Sequence, residues 1–141
     1  MSSTHISHDY YSGFEGEPEI SFSRILFGKE RILFRLWGGY FETFMNALFE
    51  KYRAIDPDNW PLILRHWNEL TGYASLEQLP WQIEDLSRTV DAFGTLRKAD
   101  LESYTSTELA ESSWTVLCAL IEFLRAALEA RETVEVAEDF V

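Results

Sequence analysis

The chain has 141 residues, of which 46% are hydrophobic and 15% aromatic, so it is too apolar to be a disordered segment. Its 24 Asp and Glu side chains outnumber its 12 Lys and Arg side chains, which gives a formal net charge of −12. That charge repels nucleic-acid backbones and anionic lipid surfaces, and it attracts cationic partners. Length and charge therefore predict one domain over residues 1–141 that binds neither nucleic acid nor membrane.

The acidic charge is concentrated in the C-terminal part of the chain. Residues 1–53 carry six basic and seven acidic side chains, a net charge of −1, whereas residues 54–141 carry six and seventeen, a net charge of −11. A surplus of acid also keeps an aromatic-rich protein dissolved. The charge pattern alone leaves both a binding role and a solubilising role open.

Residues 1–19 are polar and are predicted to form a flexible N-terminal segment. His5, His8 and Asp9 have a spacing that would suit a metal ion on a helix, but a terminal segment of this kind does not predict a metal site. The segment lacks the basic region and apolar run of a secretion signal, and the chain contains no clean apolar run of membrane-spanning length. These features predict a cytoplasmic protein.

The first half of the chain alternates between ambiguous and clear patterns. Residues 20–27 are compatible with a strand, whereas 32–37 has a helical pattern, and glycines interrupt this stretch. Residues 40–53 predict an amphipathic helix, because its apolar side chains fall on one face. Two more helices are predicted over 59–72, with Asn59 as its cap and Pro61 in its first turn, and over 80–98.

Residues 105–131 give the strongest helix prediction. Thr105 and Glu108 match a capping box, and apolar residues recur at three- and four-residue steps behind them. Residues 133–141 then change to strand periodicity, and their only plausible partner strand is 20–27. We therefore predict an all-α, compact domain of four to five helices, and leave open a short terminal β-strand pair.

No catalytic motif is present in the sequence. The single cysteine, Cys118, excludes an intramolecular disulfide and a multi-cysteine metal site. His66 with Glu69 is the one acid–base candidate, and an isolated histidine on a helix usually has a structural role. We predict no catalytic residue, no metal and no cofactor. A small-molecule enzyme that uses His66 and a carboxylate remains an alternative.

The C-terminal segment ALIEFLRAALEARETVEVAEDFV combines an apolar helix with a short valine strand and acidic residues. It resembles the small acidic bacterial immunity proteins of toxin–immunity systems, in particular those of contact-dependent growth inhibition. The aromatic-glycine run at 36–41 is similar to segments of some immunity proteins. The resemblance covers the C-terminal third and implies that the chain binds and neutralises one cognate basic toxin, a nuclease or a toxin of another activity.

Acidic and aromatic side chains near the start of the 105–131 helix are predicted to bind the partner. Opposite charges accelerate association, and desolvated aromatic side chains contribute much of the affinity. A phage-type or nucleic-acid-mimic inhibitor of a host nuclease is the alternative for the same surface, and the oligomeric state stays open. The predicted partner-binding residues are Asp85, Asp91, Asp100, Glu102, Tyr104, Glu108 and Glu111.

Overall fold

A computed structural model describes residues 3–26, 30–69 and 81–139. The prediction of an all-α domain is wrong, because a five-stranded mixed sheet forms one layer of the described chain. The elements in chain order are β1 (Ser3–Tyr10), β2 (Glu19–Leu26), β3 (Glu30–Trp37), α1 (Gly38–Tyr52), α2 (Leu62–Glu69), β4 (Trp81–Gln82), α3 (Leu86–Gly94), α4 (Lys98–Glu102), α5 (Thr107–Glu129) and β5 (Thr133–Asp139).

The strands lie in the order β1-β3-β2-β5-β4. β1 runs parallel to β3, and the other neighbouring strands are antiparallel. The predicted pairing of the C-terminal strand with the region 20–27 is found, since β5 lies beside β2 with Val136 opposite Phe22. This pair brings the two ends of the domain together.

Two predictions for the N-terminal third are wrong, because both segments pair as strands in the sheet. Residues 32–37, expected to be helical, belong to β3, where Phe34 and Leu36 are buried and Arg35 points to the other face. Residues 3–10 of the segment expected to be flexible form β1, which contains a bulge between Ile6 and His8. Pairing with β3 on one side satisfies the backbone groups of this polar edge strand that face the sheet.

One face of the sheet is covered by the helices. α1 and α5 pack directly on the strands, and α2, α3 and α4 pack against α1, α5 or both. The sheet layer and the helix layer thus meet at one core, in which apolar residues alternate along each central strand. The buried strand residues are Ile20, Phe22, Phe34, Leu36, Val134 and Val136.

The middle of the chain differs from its predicted helices. The helix expected over 59–72 begins at Leu62, and its expected end lies outside the described residues. Asn59 belongs to a 3-10 turn, so it does not cap α2. The helix expected over 80–98 starts six residues late, because the Ile83 N–H donates to the Val134 carbonyl (2.9 Å) and keeps this segment extended beside β5.

α5 lies within the predicted range 105–131, with a different N-terminal cap. The Ser106 hydroxyl accepts the Leu109 N–H at 3.2 Å, so Ser106 rather than Thr105 caps the helix. At the other end, Glu132 N–H donates to Ala127 O and Arg131 N–H to Leu128 O, with Arg131 at φ 57°. This hydrogen-bond pair is a Schellman motif, which turns the chain into β5.

Candidate functional site

A cleft runs between α1 and the connection from α4 to α5, and Tyr104 stands in its middle. Cavities of about 140 Å³ and about 300 Å³ flank this side chain, which borders both of them. On the α1 side the cleft extends from Gly39 to Lys51, about 18 Å at 1.5 Å per residue. We refer to these two cavities with Tyr104 between them as the Tyr104 cleft.

The periodicity of α1 explains its contribution to the cleft. Its apolar stripe, including Phe41, Phe44 and Leu48, is buried in the core. Glu42, Asn46 and Glu50 recur every four residues on the other side. Residues at this spacing share one face of a helix. The same helix therefore supports the core and presents two carboxylates and an amide to the cleft.

Tyr104 is held by the short helix that precedes it. Leu101 of α4 is fully buried, and its carbonyl accepts the Tyr104 N–H at 2.9 Å. The side chain itself stays 38% exposed, and its hydroxyl lies 3.4 Å from Glu50 Oε2. Partial burial, followed by the charge of Glu50, raises the pKa of the Tyr104 hydroxyl, so the phenol stays protonated at neutral pH.

At the smaller cavity, the negative charge of Asp100 is already neutralised by an internal ion pair. Lys51 Nζ lies 3.3 Å from Asp100 Oδ2, and both residues border the cavity. The same carboxylate oxygen accepts the Arg97 N–H at 2.8 Å, which satisfies a free backbone donor at the start of α4. Asp100 therefore stabilises the helix that carries Tyr104, in addition to bordering the cleft.

The larger cavity has an aromatic wall that is fixed in position. The Trp37 indole lies so close to Gly39 that a Cβ there would come within 2.4 Å of the ring. The indole stacks on Phe14 with 4.3 Å between centroids, and its Nε1 donates to Glu17 Oε1 at 3.0 Å. Glycine at position 39 is thus required for the close approach of the ring.

Several carboxylates around the cleft lack a cationic partner among the described residues. Glu42 borders the larger cavity and is exposed, and the structure gives it no ion pair within the described ranges. The same holds for Glu102 and Glu108, which lie on the two sides of Tyr104 in sequence. Glu50 is 3.6 Å from Arg53 in an exposed pair, which contributes little energy.

The seven predicted partner-binding residues fall into three groups. Asp100 and Tyr104 border the cleft, and Glu102 and Glu108 are exposed next to Tyr104 in sequence. Glu111, one turn further along α5, is paired with Lys98 at 2.7 Å. The α3 candidates, Asp85 and Asp91, border neither cavity.

The structure instead places Asp85 in a structural role. Its Oδ2 accepts the Leu62 N–H at 2.9 Å, which satisfies a free donor at the start of α2. Its backbone carbonyl accepts the Thr89 N–H at 3.0 Å. Asp91 is exposed on α3. The prediction that both residues belong to the surface around Tyr104 rested on their charge, and charge does not determine position in space.

Four cleft residues on or next to α1 were missed: Trp37, Glu42, Asn46 and Glu50. The signal available in the sequence was the four-residue spacing of the polar residues, which also fits an ordinary solvent-facing stripe. Nothing in the sequence links these residues to Tyr104, which is 54 positions from Glu50.

The histidine candidates take part in packing. The His66 ring meets the Trp81 ring edge-on with 4.6 Å between centroids, and it borders neither cavity of the Tyr104 cleft. His8 stacks on Phe34 at 4.9 Å. Across the described ranges, His, Cys, Asp and Glu side chains form no cluster of three or more that suits a metal ion. The side chain of Glu69 lies outside the described residues.

The fold and the cleft together define a two-layer α/β domain with an open, acidic, aromatic-bearing groove. Within the described part of the chain, no helix combines the length and the apolar character that crossing a bilayer requires. Comparisons with models of known protein families, with curated proteins and with solved structures found no match.

Proposed function

We propose that this chain is an inhibitor of the immunity-protein type, which binds a cationic toxin domain through the Tyr104 cleft and neutralises it. The observation that carries the proposal is the exposed Tyr104 side chain between two cavities. Glu42 borders the cleft, Glu102 and Glu108 flank Tyr104 in sequence, and none of the three has an ion pair within the described ranges. A partly exposed aromatic residue in a concave surface is a typical energetic anchor of protein interfaces.

The charge distribution supports a basic partner. Net charge of −11 over residues 54–141 creates a field that attracts cations over distances limited by salt screening. Nuclease domains carry positive clefts for their substrates, so they are a suitable partner class. The resemblance of the C-terminal helix and strand to small acidic immunity proteins points in the same direction.

Growth rescue tests the proposal directly. A toxin encoded beside this chain is expressed with and without it, and cell survival and co-purification of the two proteins are measured. We expect survival and a stable complex with the native chain. Tyr104→Ala should weaken both, whereas Ile6→Ala, which alters a 46% exposed apolar residue on β1, should not.

The alternatives give different results in the same experiment. Absence of a basic toxin partner in the gene neighbourhood, together with failure to protect cells, contradicts the proposal. Inhibition of a host nuclease without such a partner identifies a nucleic-acid mimic instead. An enzyme that depends on His66 would lose its activity in His66→Ala while Tyr104→Ala retained it.

A further inference from the structure

We propose that the larger cavity of the Tyr104 cleft receives one arginine side chain of the partner protein. This inference rests on the proposed function, and it specifies how the cationic partner is recognised. The cavity, of about 300 Å³, lies at the lower end of the size range of ligand pockets, which suits a single side chain rather than a larger molecule. Its border includes two aromatic rings, one carboxylate and one amide: Trp37, Tyr104, Glu42 and Asn46.

The chemistry of this border matches a guanidinium group. A planar cation stacks on aromatic faces, and its N–H donors pair with a carboxylate in a forked geometry. Glu42 supplies the carboxylate, the carboxamide oxygen of Asn46 can accept a further N–H, and Trp37 and Tyr104 supply ring surfaces. A lysine ammonium is a compact, strongly hydrated charge and gains less from the aromatic rings.

The larger cavity is preferred over the smaller one because its carboxylate is free. Asp100 already contacts Lys51 and caps α4, so a second cation at the smaller cavity would compete with these contacts. Glu42 has no ion pair within the described ranges, and a cation placed beside it displaces no internal partner. Net attraction is therefore greater at the Glu42 side.

The binding surface is organised before any ligand arrives. Trp37 is fixed by stacking on Phe14 and by the hydrogen bond from Nε1 to Glu17. The backbone of Tyr104 is positioned by its hydrogen bond to buried Leu101, and its hydroxyl lies 3.4 Å from Glu50 Oε2. A fixed Trp37 ring reduces the conformational entropy that binding removes, which increases the affinity available from few contacts.

The probe is an N-acetyl-Gly-Arg-Gly-amide peptide, titrated into the isotope-labelled full chain and followed by NMR chemical shifts. The matched control peptide contains citrulline, which has nearly the same shape as arginine but no charge. We expect saturable shifts at the Trp37 indole N–H and the amides of Asn46 and Thr105. Binding of the citrulline peptide should be about tenfold weaker, as expected for loss of a charge-assisted contact.

A pair of chain variants assigns the binding to the cavity. Glu42→Gln should weaken binding of the arginine peptide by about tenfold, because it removes the charge of the carboxylate while the side chain keeps nearly the same shape. Glu122→Gln removes one exposed charge from α5 and should leave binding within about twofold. Spectra without peptide show whether each variant is folded.

The possible failures of this inference and of the proposed function are distinct. Shifts that map away from the cavity, or equal binding of the arginine and citrulline peptides, overturn the arginine pocket even if the chain protects cells from a toxin. Arginine binding at the cavity, with loss of binding in Glu42→Gln, supports the pocket. If such a chain then protected cells from no toxin, only the proposed function would be contradicted.

Discussion

Arg131 holds a backbone conformation that its side chain disfavours. Among the described residues it is the non-glycine residue with positive φ, at 57°, and it occupies the Schellman position that glycine usually fills. Arg131→Gly should relieve the steric cost of the left-handed conformation. Since glycine also loses more entropy on folding, we expect a net gain of about 0.5–1 kcal/mol in the free energy of unfolding, measured with urea.

Ala130 provides the matched control for that substitution. Its φ of −83° lies in the ordinary right-handed region, so glycine brings no relief there. Ala130→Gly should lower the free energy of unfolding by up to about 1 kcal/mol. Equal effects of the two glycine substitutions would show that Arg131 carries no backbone strain.

Asp9 makes stability depend on acid pH. The hydrogen bond from the Ser12 hydroxyl lowers the pKa of the Asp9 carboxyl group, and burial opposes that effect. The N–H groups of Tyr11 and Ser12 and the charge of Arg35 lower this pKa further. Because the folded-state pKa is below the ordinary value of 3.8, the stabilisation is complete above that pH. It is lost as pH falls through the folded-state pKa.

The test for Asp9 compares the native chain with Asp9→Asn. The difference in free energy of unfolding should be constant at neutral pH and should shrink as the pH falls below the ordinary value of 3.8, because the unfolded chain takes up its proton there while the native carboxylate does not. It should level off below the folded-state pKa, where both states are protonated. Urea unfolding at a series of pH values measures it. A difference that is independent of pH would mean that the carboxylate charge does not stabilise this turn.

At the scale of elements, Gly39 and Gly94 are opposite cases. A Cβ at Gly94, in the last turn of α3, meets nothing within 4 Å, so Gly94→Ala should raise stability by about 0.5–1 kcal/mol through helix propensity. A Cβ at Gly39 meets the Trp37 ring at 2.4 Å. Gly39→Ala should therefore displace the indole from Phe14 and gain no stability.

Trp fluorescence and NMR shifts distinguish the two alanine variants. Gly39→Ala should change the environment of the Trp37 indole and weaken binding of the arginine peptide, whereas Gly94→Ala should change neither the indole environment nor the binding. An unchanged indole signal in Gly39→Ala would show that the ring accommodates the added methyl group without leaving the cavity border.

Elements with apolar side chains on one face could be predicted from the sequence, whereas β3, with apolar side chains on both faces, could not. The stripes of α1 and α5 and the Val134–Val136 alternation gave correct element types. β3 did not, because Leu33, on the face opposite to buried Phe34, is also apolar and partly buried, so alternation is hidden. Neighbouring strands supply information that a local pattern does not contain.

The cleft could be predicted only from one side. Acidic residues and Tyr104 near the start of α5 are visible in the sequence, and the structure places Tyr104 and Asp100 at the cleft. The opposite wall on α1 comes from packing between segments that are more than 50 positions apart. Asp85 shows the converse, because a carboxylate that looks like surface charge satisfies a backbone donor of another helix.

At the scale of the molecule, the acidic charge of the protein and the Tyr104 side chain should affect different steps of partner binding. Diffusing partners respond to the summed field, which includes Glu102 and Glu108, whereas Tyr104 acts once water is excluded. Replacing both glutamates with glutamine should lower the association rate constant by about threefold at low salt and weaken its salt dependence. Tyr104→Ala should instead raise the dissociation rate constant by about 30-fold, equivalent to about 2 kcal/mol.

The control for this prediction is a variant that loses two negative charges at a distance from Tyr104. Glu122 and Glu129 are exposed on α5, and Glu129 lies about 32 Å along the helix from Glu108 at 1.5 Å per residue. At physiological salt this distance exceeds the screening length of about 8 Å, so under that condition Glu122→Gln with Glu129→Gln should change association less than the pair beside Tyr104. Stopped-flow kinetics at several salt concentrations measures both rate constants. If the two pairs slowed association equally, net charge rather than its position beside Tyr104 would control the encounter.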